Sequence, residues 1–429
     1  MPGSSSATSK TAAKSQLADE PERVQVHDFT SDWGDRGDLG SEVRSDANNE
    51  LAESPKLAHQ LFVNDGKGNF SRVKNAFPAN KSNVGAVVAN DFDGDGDLDL
   101  FIGGHSKPFF YGVSPESYLY LNDGRGIFSE AKWNDAKDSN KPGMITGAVM
   151  ADVIGDAKKE MVVVGEWMSP KVFEYKDKHF NEVKTNLGSL DGWWQTVAAS
   201  DLDGDGRCDL VLGNIGENFY LKPDSVHPAK LWLNYFGIDG SIQQFITRTV
   251  DGRDVPVFMK RNMEDQFLYL KKENLEHVSY ATKSAEELFG KELTQKAIKK
   301  EFNFCSTVIA WNEGGGKFKI EKLPQPIQFS SVNAIACLDA NGDGKLDVVT
   351  GGNMFHFTPQ FGRLDSNFGS VLINKGGRQF QLLSTKEAGI QLQGQVRDIK
   401  SISNGDKKSL LFLRNGDSPV LFKSNTGKK

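Results

Sequence analysis

The chain has 429 residues, 38% hydrophobic and 10% aromatic, enough to bury a large core and enough for one large β domain in place of several small ones. Its formal net charge of -6 carries no basic stripe of the kind that binds nucleic acid, and no run reaches the length of a membrane span. Three cysteines, Cys208, Cys305 and Cys337, exclude a disulfide framework, and Cys208 and Cys337 fall in predicted strands as small buried residues.

Residues 1–25 are polar and rich in Ser, Ala and Lys, with no apolar h-region. They predict a disordered N-terminal segment without a visible secretory signal. Residues 26–425 then read as one repeat domain, starting with VHDFTSDWGDRGDLG (26–40) as a damaged first copy. LFVNDGKGNFSRV (61–73) alternates apolar and polar residues around Asn-Asp-Gly, a strong hairpin signal.

An acidic loop follows: Asp91-Phe-Asp93-Gly-Asp95-Gly-Asp97-Leu-Asp99. Two more have the same spacing, Asp201-Leu-Asp203-Gly-Asp205-Gly-Arg207-Cys-Asp209 and Asp339-Ala-Asn341-Gly-Asp343-Gly-Lys345-Leu-Asp347. Oxygen side chains stand at positions 1, 3, 5 and 9, with Gly at 4 and 6. Ca²⁺ takes roughly six to eight oxygen ligands, and a tight loop of alternating carboxylates supplies them. The glycines let the backbone turn sharply. The main-chain carbonyl of position 7, from Asp97, Arg207 or Lys345, is the further protein ligand. A solvated Asp-Gly turn has the same local chemistry, but three copies with a matching ninth residue predict about three Ca²⁺ sites.

The flanks separate these loops from EF-hands. Position 12, where an EF-hand carries a bidentate Glu, holds Ile102, Leu212 and Thr350. Short β-branched runs precede each loop (Val84 to Ala89, Thr196 to Ala199, Val332 to Cys337), and apolar runs ending in Gly follow it. Each metal loop is therefore predicted to join two strands of a β-hairpin.

Further along, LYLNDGRGIFSEA (119–131) and VLINKGGRQFQLL (371–383) repeat the outer hairpin. MADVIGDAKKEMVVVGEW (150–167) keeps Asp152, Asp156 and Glu160 but has Ile154 at position 3. NYFGIDGSIQQF (234–245) keeps only the Asp239-Gly240 turn, and VRDIKSISNGDKKSLLFL (396–413) is a strand, turn and strand with no ligand set. Units centred near 32, 91, 152, 201, 239, 343 and 405 make about seven. Repeats of about 50 residues with four strands each read as blades, so the predicted fold is an all-β, seven-bladed β-propeller.

The spacing is interrupted once, between the second and third acidic loops. Asn262 to Asn303 turns helical, with Ser284-Ala-Glu-Glu287 as a capping box. Ala285, Leu288, Phe289, Leu293, Ala297 and Ile298 form one predicted helical stripe, and residues 263–273 a second helix. This insert reads as a lid packed on one face of the disc, with a binding element as the alternative.

Together these stretches resemble the FG-GAP/VCBS repeats of integrin-type β-propellers. From about residue 55 the chain is also similar to the C-terminal part of bacterial VCBS repeat-containing proteins related to the ASPIC/UnbV and cartilage acidic protein group. LFVNDGKGNF, NDFDGDGDLDLFIGG, VVVGEWM, GWWQTVAASDLDGDGRCDLVLGN, the EELFG insert and LDANGDGKLDVVTGGN carry that resemblance. It implies a calcium-binding propeller, extracellular or in the cell envelope, acting in adhesion or binding, with no established reaction. The chain departs from the pattern in lacking the usual upstream sequence and export signal, and in having no acidic set at Tyr235–Gln243.

Catalytic signals are sparse. His27, His59, His105, His179, His227, His277 and His356 form no HExxH pair, and there is no GxSxG elbow, P-loop or dinucleotide fingerprint. His105 and His356 both follow a strand-Gly-Gly end, which places them on one propeller face as exposed loop residues. The favoured reading is a monomeric, calcium-stabilised scaffold for a protein or glycan ligand, without catalysis. The alternative is a propeller hydrolase or lyase acting on extracellular polysaccharide. Trp167, Trp193 and Trp194 are candidates for an aromatic ligand patch, or else inter-blade core.

Overall fold

The structure is a computed structural model that describes residues 25–26, 58–107, 110–133, 139–237, 240–273, 276–357, 359–404 and 407–423. All but Gln25 of the predicted disordered segment at 1–25, all but Val26 of the damaged copy at 26–40, and Asp239 lie outside the described residues.

The described part is a series of antiparallel sheets. The first has three strands, β1 (Gln25–Val26), β2 (Leu61–Asn64) and β3 (Phe70–Val73). The second is a four-stranded meander of β4 (Asn83–Asn90), β5 (Asp99–Ser106), β6 (Tyr118–Asn122) and β7 (Phe128–Ala131). A third meander runs through β8 (Met144–Ala151), β9 (Glu160–Met168), β10 (Lys171–Lys176) and β11 (His179–Val183). Next come β12 (Gly192–Ser200) and β13 (Asp209–Asn214), whose sheet is interrupted by an insertion.

That insertion is itself a sheet. β14 (Ala229–Asn234), β15 (Gln243–Val250) and β16 (Arg253–Pro256) form a meander, and β17 (Ile298–Phe302) returns to the other side of β14. Only then do β18 (Val308–Asn312) and β19 (Phe318–Lys322) complete the sheet begun by β12 and β13, with Leu210 opposite Ala310. A further meander of β20 (Val332–Leu338), β21 (Asp347–Gly352), β22 (Ser370–Gly376) and β23 (Gln379–Leu382) follows. The last sheet is β24 (Gln395–Asn404), β25 (Lys407–Asn415) and β26 (Val420–Lys423).

The unit read around residue 239 is therefore not one of the series. It is an insertion inside the unit of the 201–209 loop. The helical span is also corrected at both ends. Helices cover Lys260–Gln266, Leu270–Glu273, His277–Ala281, Ala285–Phe289 and Lys291–Lys296, and the chain then becomes β17. Gly290 divides the predicted stripe at φ 82. Ala285, Leu288 and Phe289 are buried, but Ile298 is 62% exposed on its strand. The capping box at Ser284 and Glu287 is present as read. No described helix is long and apolar enough to cross a membrane.

The first strands of successive units pack on one another: β4 on β8, β8 on β12, β12 on β20 and β20 on β24. Each has a register shift at the same place, at Gly85, Thr146, Gln195, Asn333 and Arg397. Such bulges bend a strand and re-aim one side chain. Two of these side chains meet between sheets, where Asn333 Nδ2 donates to Gln195 Oε1 at 3.3 Å. The glycines that close the second strands make this approach possible. A Cβ on Gly103, Gly213 or Gly351 would overlap Ile145, Val332 or Val396 of the following unit.

The insert's core is aromatic. Phe236, Phe245, Phe267 and Phe289 pack together, and Phe302 on β17 meets Trp167 and Trp193 on the adjoining sheets. The insert thus shares one hydrophobic cluster with the ends of β9 and β12.

Candidate metal centre

Each acidic loop joins the first and second strands of its unit, as predicted. The wiring is the same in all three. Asp91, Asp201 and Asp339 accept from the N–H groups of positions 4 and 6: Gly94 and Gly96 at 2.7 and 3.1 Å, Gly204 and Gly206 at 2.8 and 2.9 Å, Gly342 and Gly344 at 2.6 and 3.0 Å. Position 3 accepts from the N–H of position 5, and position 5 from that of position 7. The glycines at 4 and 6 all have positive φ, between 78 and 95°, a conformation that glycine enters without steric cost. The first-position carboxylate thereby folds the loop around itself.

Position 9 does a different job. Asp99, Asp209 and Asp347 are fully buried at the start of β5, β13 and β21. One oxygen of each accepts from the N–H of position 2, and the other from an asparagine on the third strand: Asn122 at 2.9 Å, Asn312 at 2.8 Å and Asn374 at 2.8 Å. Burial pushes all three carboxyls up, Asp209 to about 6. A divalent cation beside them would oppose that rise.

Ligand oxygens of Asp91, Asp93 and Asp99 lie within 4.8 Å of one another, as do those of Asp201, Asp203 and Asp209. The two oxygens of Asp91 each accept one N–H and keep a lone pair for metal, so the donor set fits a hard cation. The third loop has Asn341 in place of the third carboxylate. Asp95 and Asp205 supply further oxygens on the same turn. The side chains of Arg207 and Lys345 pair with Asp205 and Asp343, so position 7 can contribute only its carbonyl. Asp97 shares that role.

The 152–160 loop has the same design. Asp152 accepts from Gly155 and Ala157 at 2.6 and 2.8 Å, and Glu160 takes the ninth-position role by accepting from Val153 at 2.9 Å. Asp152, Asp156 and Glu160 form a third group within 4.8 Å. Ala157 stands at φ 66, where the other loops have glycine.

A second polar centre lies at the far end of β5 and β9. His105 and Glu166 approach to 3.4 Å, Tyr111 donates to Glu166 at 2.6 Å, and Trp167 Nε1 donates to Tyr111 at 2.9 Å. Burial works to raise the Glu166 carboxyl, but His105 and the neighbouring donors outweigh it and hold it below its ordinary value. His105 is 2% exposed, which corrects its reading as a surface loop residue. Trp167, Trp193 and Trp194 are buried as well, so they are core and not a surface patch. Glu166 and Tyr111 escaped the sequence reading. The only hint was a Gly-Glu-Trp ending a long apolar run. His356 is partly buried beside Gln395, at 3.1 Å. Cys208 lies in the loop, not on a strand, and all three cysteines are free thiols.

Residues 54–102 and 152–212 match the FG-GAP-like repeat. These two spans carry FG-GAP-like repeats. The matched spans contain the 91–99, 152–160 and 201–209 loops. No curated protein sequence matches the chain. Among solved structures it is similar to a Photorhabdus luminescens Tc holotoxin pore chain, at 14% identity and a TM-score of 0.36, covering 94% of this chain and 14% of that one. It is also similar to the Vibrio cholerae biofilm matrix protein Bap1, at 10% identity and a TM-score of 0.32, covering 86% of this chain and 75% of that one.

Proposed function

We propose that residues 26–425 form a calcium-binding β-propeller that acts outside the cell or in its envelope as a scaffold for a protein or glycan ligand, without catalysis. The observation that carries the calcium reading is the shared wiring of the acidic loops. One carboxylate turns the loop, a second lies close to it, and a buried third ties the loop to the third strand. Propeller architecture is supported by the repeated packing of each unit's first strand on the next. With the 229–302 sheet counted as an insertion, the proposed blade number falls from seven to six.

The adhesive role rests on the FG-GAP repeats and on the insert, which adds a sheet and five short helices to one end of the units. Calorimetric titration of the chelator-treated protein tests the metal reading. It should take up about three Ca²⁺, with the 152–160 loop as a weaker further site. Absence of uptake contradicts it. A glycan array and an envelope-protein pull-down, each run with and without Ca²⁺, test the ligand reading.

A further inference from the structure

Four hairpin turns in this chain begin at an asparagine and are built alike: Asn64, Asn122, Asn312 and Asn374. Four residues on, three of them hold glycine at positive φ: Gly68 at 89°, Gly126 at 80° and Gly316 at 73°. The fourth turn holds Arg378 at φ 63. A long side chain there is disfavoured relative to glycine, and backbone strain of this kind is a pointer to function.

The placement of that side chain shows what it does. The turn of each following sheet sits on the acidic loop of the sheet before it. Gly315 donates to the Ile154 carbonyl at 3.4 Å in one case, and Asn374 to the Leu202 carbonyl at 2.6 Å in the other. Arg378 therefore hangs over the 201–209 loop. Its Nε donates to Asp203 Oδ2 at 2.7 Å, and its terminal nitrogen lies 3.9 Å from Asp205. The guanidinium also lies over the Trp311 ring at 5.1 Å. Asp203 and Asp205 are positions 3 and 5 of the loop, and Asp203 belongs to the close carboxylate group it forms with Asp201 and Asp209.

We propose that Arg378 is a built-in counter-cation that lowers the metal affinity of the 201–209 loop and links that loop's occupancy to the neighbouring sheet. The inference rests on the calcium reading above. Without metal, the guanidinium neutralises carboxylates that would otherwise repel one another. With metal, the same fixed positive charge opposes the incoming cation. The 201–209 site is then weaker than its four acidic residues suggest, and metal entry loosens the contact between the two sheets.

Calorimetric Ca²⁺ titration of the full chain tests this. Asp203→Ala identifies the binding step that belongs to this loop. Arg378→Gly restores the residue that the other three turns carry, so it removes the charge without introducing strain, and Arg378→Lys keeps the charge. Arg378→Gly should tighten that step about ten-fold, with Arg378→Lys closer to the parent and the gap narrowing as salt is raised. An unchanged or weaker step in Arg378→Gly, in a protein that binds Ca²⁺ normally elsewhere, overturns the role given to Arg378. A parent protein that binds no Ca²⁺ contradicts the calcium reading itself.

Discussion

Asn374 ties two acidic loops together. Its backbone N–H donates to Asp347 of its own loop, while its side chain donates to the carbonyl of Leu202 in the preceding loop and to Leu346 in its own. Asn312 repeats the arrangement, bonding Asp209 through its N–H and the carbonyls of Val153 and Cys208 through its side chain. The ninth-position aspartate, the third-strand asparagine and the previous loop thus form one chain of hydrogen bonds from unit to unit.

Cutting that link should cost stability. Asn374→Ala and Asn312→Ala each leave two carbonyls of buried loops without a donor, at about 1–3 kcal/mol each. Asn122→Ala removes bonds within its own unit alone, to the Leu98 carbonyl and from the N–H groups of Gly124 and Gly126, and should cost less. Urea midpoints of the three variants check the order. A costlier Asn122 variant would contradict it.

Loop substitutions should remove metal one site at a time. Asp93→Ala, Asp203→Ala and Asn341→Ala should each lose about one bound Ca²⁺, and Asp239→Ala none, because Tyr235, Gly237 and Gln243 hold no carboxylate cage. Direct counting of bound calcium by atomic emission settles each case.

The insert should behave as packed structure. Phe289 lies 4.5 Å from Phe245 and 4.8 Å from Phe236 between ring centroids, and Leu288 is buried beside it. Leu288→Ala and Phe289→Ala should each cost roughly 2–5 kcal/mol. Ile298→Ala, on an exposed strand position, should be nearly neutral. Denaturant midpoints equal to the parent for the first two would move the insert from packing to recruitment.

Lys300 gives a pH test away from the loops. It sits on β17 and donates to Ser114 at 2.9 Å, and burial depresses its ammonium to about 8. A lysine whose folded value lies below its unfolded one costs stability when charged. The stability it allows is present above the unfolded value and is lost as pH falls through about 8. Lys300→Met should therefore stabilise the protein at pH 7 by roughly 1–2 kcal/mol, with the gain shrinking between about pH 8 and pH 10. Melting curves across that range show whether it does.

The loops and outer hairpins were legible because their signals are local. Asp91 to Asp99 contains its own turn residues, ligands and flanking strands, and Asn122-Asp-Gly contains its own hairpin. The nesting of the 229–302 sheet was not legible. β13 and β18 pair across an insertion, and nothing in either strand's alternation names its partner. Ile298 was misplaced for a related reason. IKKEF continues the spacing of the helix before it, yet pairing with β14 overrides that local pattern. The His105–Glu166–Tyr111 centre joins residues far apart in sequence, and no spacing could reveal it.

The central claim is that the acidic loops bind Ca²⁺ and that the bound ion stabilises the folded chain. A ligand that binds only the folded state stabilises it by mass action, so thermal melting in excess Ca²⁺ against excess chelator is the direct measurement. The account predicts a melting temperature several degrees lower after metal removal, restored by Ca²⁺ at micromolar to millimolar concentration. Identical melting curves, with metal removal confirmed by elemental analysis, would contradict it.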